Sequence, residues 1–282
     1  MDDLIAKRLD KIEDLPTIPN TLHRVLSSID EVTTSAQSME EIIREDPVLT
    51  AKILKIANSP YYGLVTEVSS IARAVVILGF EEVKNLVIGL SLTNAFAGDL
   101  SFPGLDGSAL WIHSFAVAHA AKLVAEAMET LDPDDLYTAG LLHDIGRVLM
   151  CIYFREEMER IVALSRERGV PLAEAEQEVG LSHSEAGAYL ARKWKLSDLL
   201  FHVIRYHHYP QGGAPYDVEA AAVFLADELC HALQIGLHSP QQRKILVPKR
   251  LNLGGDTVKM LARRLKEKKE AIEESWRDVL TG

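Results

Sequence analysis

Apolar positions recur at helical spacing along most of the chain, and the period-two alternation of a half-buried strand is nearly absent. After LPTIP, whose prolines hold the preceding residues extended, Leu22, Val25, Leu26 and Ile29 mark one helical face. Ser38 and Glu41 form a capping-box pattern ahead of Ile42 and Ile43. Asp46 followed by Pro47 reads as an N-cap with proline at the first helical position. The helix it opens carries Leu49, Ile53 and Ile56 on one face and is expected to stop at Asn58-Ser59-Pro60. Ser70 then begins a helix that ends near Gly79.

The stretch GDLSFPGLDG, residues 98–107, breaks the pattern with three glycines, a proline and two aspartates, and is the best boundary between lobes. Longer helices follow at about 108–129, 134–150, 153–168, 172–178, 183–195, 197–208 and 217–235. The expected fold is therefore all-α and two-lobed, with a C-terminal amphipathic helix. The expected organisation is an N-terminal lobe over 1–105, a second helical lobe over 106–238, and a basic tail over 239–282. In that tail, Arg243 to Lys269 holds ten basic residues against Asp256 and Glu267, and Val258, Leu261, Leu265, Ile272 and Val279 form one stripe. Such a helix packs back on its own chain, or docks a partner or a second copy, so a homodimer is one expectation.

Charge narrows the partners. Acidic residues outnumber basic ones, 41 to 30, for a net charge of −11, which disfavours nucleic acid and anionic membranes over most of the surface. No run reaches about 18 consecutive apolar residues. The charged start MDDLIAKRLDKIEDL has no signal-peptide core. With only Cys151 and Cys230, each beside apolar residues, two reduced thiols and a cytoplasmic location are expected.

The candidate chemistry lies in LLHDIGR. His143 and Asp144 stand together just before a glycine, and imidazole and carboxylate are both good ligands for borderline divalent metals. A lone His-Asp pair carries little weight, since histidines often just satisfy a core hydrogen bond. Its company raises it: His113 in LWIHSFAVAH, His183 in GLSHSEAG, His207 and His208 in VIRYHHYP, and Asp227 in AAAVFLADELC. These lie on separate helical segments in apolar context, where chance scatter would leave more of them in polar loops. A buried aspartate also needs a cation or hydrogen bonds. His119, His202, His23, His231 and His238 match no place in the pattern, and Trp111 and Trp194 read as core packing.

The order His, His-Asp, His, His-His, Asp resembles the two-metal, HD-GYP-like form of the HD-domain superfamily. The stretch from LPTIP through REDPVLTAKILKIANSPYYGL to SSIARAVVILGFEEVKNLVIGLSL is similar to the HD-related output domain (HDOD) group, over residues 15 to about 235. The resemblance implies that His113, His143, Asp144 and Asp227 hold one ion. His183, His207 and His208 would then hold a second, with Asp144 between. Two divalent transition-metal ions are implied, iron or manganese ahead of zinc. Three departures stand out. HHYPQGGAPY replaces the glycine-tyrosine-proline signature, Ala109 stands one turn before His113 where an acidic residue would hold a third ion, and Arg147 replaces the usual lysine. Arg147 could grip a phosphate bidentately or lie solvated at a helix end.

A bacterial signal-transduction module, with a signalling protein or a phosphorylated small molecule as its partner, is the first functional expectation. A metal-dependent phosphohydrolase acting on a nucleotide or phosphodiester, with Asp144 and Arg147 in the catalytic site, is the alternative. A di-iron oxygenase is the third.

Overall fold

The computed structural model describes residues 3–12, 15, 17–20, 24, 36–96, 98, 100–237 and 244–281. The expected helical face at Leu22, Val25, Leu26 and Ile29, and the histidines His23 and His238, lie outside the described residues. Among those described there are helices and one isolated antiparallel bridge, Phe102 to Leu105, but no strand. The architecture is all-α, as the periodicity implies.

Contacts divide the chain into two compact units. One comprises residues 16–97 and 270–282, the other residues 1–15 and 98–269. This grouping differs from three consecutive segments: the first fifteen residues join the larger unit, and the tail is shared between the two.

The smaller unit contains α2 (Ala36–Arg44), α3 (Pro47–Ala57), α4 (Ile71–Leu78) and α5 (Phe80–Ala95). Asp46 caps α3 by accepting from Leu49 N at 3.0 Å, and Leu49, Ile53 and Ile56 are buried. Asn58 ends that helix and staples the loop beyond it. Its Nδ2 donates to the Leu54 and Val68 carbonyls, both at 2.9 Å, and its Oδ1 accepts from Val68 N at 2.7 Å. Ser70 caps α4 by accepting from Arg73 N. Gly79, at φ +96°, makes the corner into α5. One expectation is corrected. Ala36 is already helical, so Ser38 lies inside α2 and does not serve as its cap. Alanine and glutamine at 36 and 37 are strong helix formers and carry the helix past the serine.

The larger unit is built on α6 (Gly107–Met128), capped by Asp106 through Ser108 N at 3.0 Å and buried along most of its length. Helix α7 (Pro133–Leu142) lies close against it because Gly140 has no side chain: a Cβ there would stand 2.9 Å from Ala118 Cα. The expected continuous helix over 134–150 is broken. It ends at Leu142, and α8 (Ile145–Tyr153) starts after Asp144, whose backbone at φ −102° and ψ 12° leaves the helical path. The remaining helices are α9 (Arg155–Arg168), α10 (Leu172–Val179), α11 (His183–Lys193), α12 (Asp198–Tyr206), α13 (Asp217–Leu233) and α14 (Gly255–Thr281). Helix α1 (Asp3–Leu9) belongs to this unit. Its Ile5 and Leu9 are buried, and Arg8 lies 4.4 Å over the Phe154 ring and pairs with Glu157.

Trp111 and Trp194 are buried in the core, and neither cysteine forms a disulfide. All five stripe residues of α14, Val258, Leu261, Leu265, Ile272 and Val279, are buried within the chain. No helix of the described residues is long and apolar enough to cross a membrane.

Candidate metal centre

Helix ends bring the chemistry together inside the larger unit. His143 and Asp144 occupy the break between α7 and α8, His183 is the first residue of α11, and His207 and His208 follow the last turn of α12. His113 and Asp227 come from the middles of α6 and α13. Asp144 stands at the N-cap of α8 but makes no side-chain cap hydrogen bond, so its carboxylate is turned to the site.

The ring tautomers follow from backbone partners. A carbonyl oxygen only accepts, so a ring nitrogen facing one must carry the proton. Nδ1 of His143 donates to Gly140 O at 2.7 Å, that of His207 to Ile204 O at 2.9 Å, and that of His113 to Ile235 O at 3.2 Å. Nδ1 of His183 donates to the buried Glu176 carboxylate. In each neutral ring Nε2 then presents a lone pair. These atoms converge: His183 Nε2 lies 3.2 Å from Nε2 of both His207 and His208, and 3.3 Å from Asp144 Oδ1. Asp144 Oδ1 is also 3.7 Å from His207 Nε2, while Oδ2 is 3.5 Å from His143 Nε2. Asp227 Oδ1 lies 2.9 Å from His113 Nε2 and 3.9 Å from His143 Nε2.

Lone pairs aimed at one another in a dry interior repel unless a cation lies among them. His143 Nε2 and Asp144 Oδ1 are moreover buried without a hydrogen-bond partner among the described residues. The donor set therefore fits metal ions. Ligand atoms of His183, His207 and His208 lie within 4.8 Å of one another, as do those of His113, His143 and Asp144, and those of His113, Asp227 and His231.

Electrostatics keep His143, His207, His208, Asp144 and Asp227 in ligand form. Burial pushes His207 down to about 3, helped by the neighbouring His143 and His183, and it pushes His208 well below the usual imidazole range. His143 is lowered by burial, against the pull of Asp144 and Asp227. Burial alone would raise Asp144, but Arg147 and the surrounding histidines hold it well below the carboxylate range. Burial likewise opposes ionisation of Asp227, and His231 and His113 overcome it. His113 is raised, because the hydrogen bond and charge of Asp227, with Asp144, outweigh its burial.

Two features were not visible in the sequence pattern. Glu176, on α10, accepts from His183 N at 3.0 Å and from its Nδ1, and pairs with Arg147 at 3.2 Å. Its carboxyl is held near 2: burial opposes ionisation, and the interactions with His183 and the Arg147 charge prevail. His231, one turn beyond Asp227, places Nε2 3.3 Å from Asp227 Oδ1. Arg147 is neither solvated nor free for a ligand: it is buried, paired with Asp144 Oδ2 and Glu176. His119 packs edge-on against Tyr137, and His202 bonds its own helix at Asp198 O. Pro210–Gly212 of the HHYPQGG segment forms a single 3-10 turn.

The HDOD domain model matches residues 15–210, which is most of the chain. The chain belongs to the HDOD family. An HDOD domain protein of unknown function from Geobacter sulfurreducens is similar over 99% of this chain and 95% of its own, at 29% identity and a TM-score of 0.76. A candidate signal transduction protein from Marinobacter aquaeolei VT8 shares the fold at a TM-score of 0.80, with 23% identity over 95% of this chain and 60% of that one. Ribonuclease Y of Campylobacter hominis is 31% identical over 159 residues, 54% of this chain and 25% of that enzyme. The chain spans two fifths or less of the length of curated relatives such as these.

Proposed function

We propose that this HDOD chain is a signal-transduction module whose larger unit holds a dinuclear metal centre. His113, His143, Asp144 and Asp227 hold the first ion, and His183, His207, His208 and Asp144 the second, with Asp144 shared. The ions supply the positive charge that this donor set lacks, and iron or manganese suits imidazole and carboxylate without thiolate. The observation that carries the reading is the fixed tautomers: backbone carbonyls at Gly140 and Ile204 hold Nδ1–H and leave Nε2 lone pairs facing Asp144.

Burial favours a module over a hydrolase. His113, His143, Asp144, His183, His207 and Asp227 are all buried, and the Arg147 guanidinium beside Asp144 is engaged with two carboxylates. The metal-bound side chains would tie α6, α8, α11, α12 and α13 into one rigid body, and partner binding falls to the protein surface. The similarity to a candidate signal transduction protein supports the same reading. Metal-loaded protein is expected to leave nucleotides and phosphodiesters intact while metal removal lowers its melting temperature.

The alternative is a metal-dependent phosphohydrolase. One observation favours it: His208, which would hold the second ion, is only half-buried. The stretch shared with ribonuclease Y points the same way. In that case the ions would activate water and stabilise charge on a phosphoryl group. Metal-dependent turnover of a phosphodiester, abolished by Asp144→Asn, would establish it.

A further inference from the structure

The third histidine-carboxylate group in the larger unit has no part in the ligand set above. His231 follows Asp227 by four residues on α13, so both side chains leave the same face of one helix, the i, i+4 spacing that lets a helix chelate a metal. The His231 ring centroid lies 4.7 Å from that of His113. Ligand atoms of His113, Asp227 and His231 lie within 4.8 Å of one another, with Asp227 Oδ1 2.9 Å from His113 Nε2 and 3.3 Å from His231 Nε2.

We infer that His231 is a direct ligand of the first ion, beside His113, His143, Asp144 and Asp227. This rests on the metal centre proposed above. The competing role is a hydrogen bond from His231 that merely orients Asp227. Geometry speaks against it. The Nε2 to Oδ1 separation of 3.3 Å is long for a charge-assisted N–H to carboxylate bond, which runs about 2.7–2.9 Å. Asp227 Oδ1 already faces His113 Nε2 at 2.9 Å. His231 Nδ1 is buried with no hydrogen-bond partner among the described residues, so no acceptor fixes the ring proton and either nitrogen is free to carry it.

The consequence is an asymmetric pair of positions. The first ion is enclosed by five protein side chains and is structural, whereas the second, held by three histidines and the shared Asp144, is the one that exchanges. Cobalt(II) tests this directly, because a coordinated imidazole shows a strongly shifted, exchangeable ring N–H proton resonance and an imidazole outside the coordination shell does not. The fully cobalt-loaded wild-type protein is expected to show six such resonances, from His113, His143, His183, His207, His208 and His231. His231→Gln is expected to lose one of them and to release its tighter cobalt at least ~10-fold more readily. Five resonances in the wild type, with His231→Gln unchanged, overturn the assignment and leave the dinuclear centre standing. Failure of the wild type to take up cobalt at all overturns both. Since the wild-type count decides the matter, the test survives a His231→Gln protein that does not fold.

Discussion

Gly146 and His183 are pressed together at the contact of α8 with α11. A Cβ on Gly146 would stand 1.9 Å from the His183 carbonyl oxygen and 2.6 Å from Gly187 N. Only a glycine lets the start of α11 approach this closely, and that approach sets His183 Nε2 3.3 Å from Asp144 Oδ1. Gly146→Ala must push the helices apart, at a cost of at least ~1–3 kcal/mol for an overpacked contact. The variant is expected to melt lower and to lose metal chiefly from the second position. Unchanged metal content in a destabilised protein would show that the glycine serves packing alone.

In the proposed centre Asp144 is the shared residue, for Oδ1 faces His183 and His207 while Oδ2 faces His143. Asp144→Asn keeps the shape but removes a charge and the symmetric bridge. Metal titration is expected to show both positions weakened in Asp144→Asn, chiefly the first in His113→Ala and chiefly the second in His183→Ala. Two ions retained by Asp144→Asn at wild-type affinity would exclude bridging.

Arg147 offsets the charges of Asp144 and Glu176 in a dry interior. Breaking such a pair costs about 3–5 kcal/mol. Arg147→Met is expected to lose stability of that order in urea denaturation of chelator-treated protein, and less when metal-loaded, because bound ions then partner Asp144. Equal losses in both states would separate Arg147 from the metal centre.

Helix α1 is anchored to α11 through Tyr189, whose hydroxyl donates to Asp10. Burial and the Asp10 carboxylate together push the Tyr189 phenol up to about 12. A raised folded pKa stabilises the protein fully below the unfolded value near 10, and that contribution is lost as pH rises through about 12. Ultraviolet titration of phenolate absorbance is expected to show one late-ionising tyrosine. It should vanish in Tyr189→Phe and return toward 10 in Asp10→Asn, which removes the anion beside the phenol. A profile unaltered by either substitution would dissociate the helix from this contact.

Local rules made much of the fold legible. Asp46-Pro47 and Ser70 mark helix starts because capping is chemistry between neighbours, and the structure shows both caps made. The Ser38 pattern misled because the same side chains also suit a helix interior, and the break at His143-Asp144 was hidden within an apolar run. Glu176 sits in LAEAEQEV, which reads as a solvated face. Only the αL turn at Gly180 brings its carboxylate back to His183 N, seven residues on in the chain. His231 stands four residues after Asp227, a spacing legible in the sequence, but its closeness to His113 on another helix is not. Such tertiary encounters leave no periodic trace.

The most direct test of the central claim is elemental analysis of the purified, folded protein. The account predicts close to two transition-metal ions per chain, iron or manganese ahead of zinc, released by a chelator with a fall in melting temperature. A folded protein that contains no metal, and takes up none when manganese or iron(II) is supplied, would contradict it.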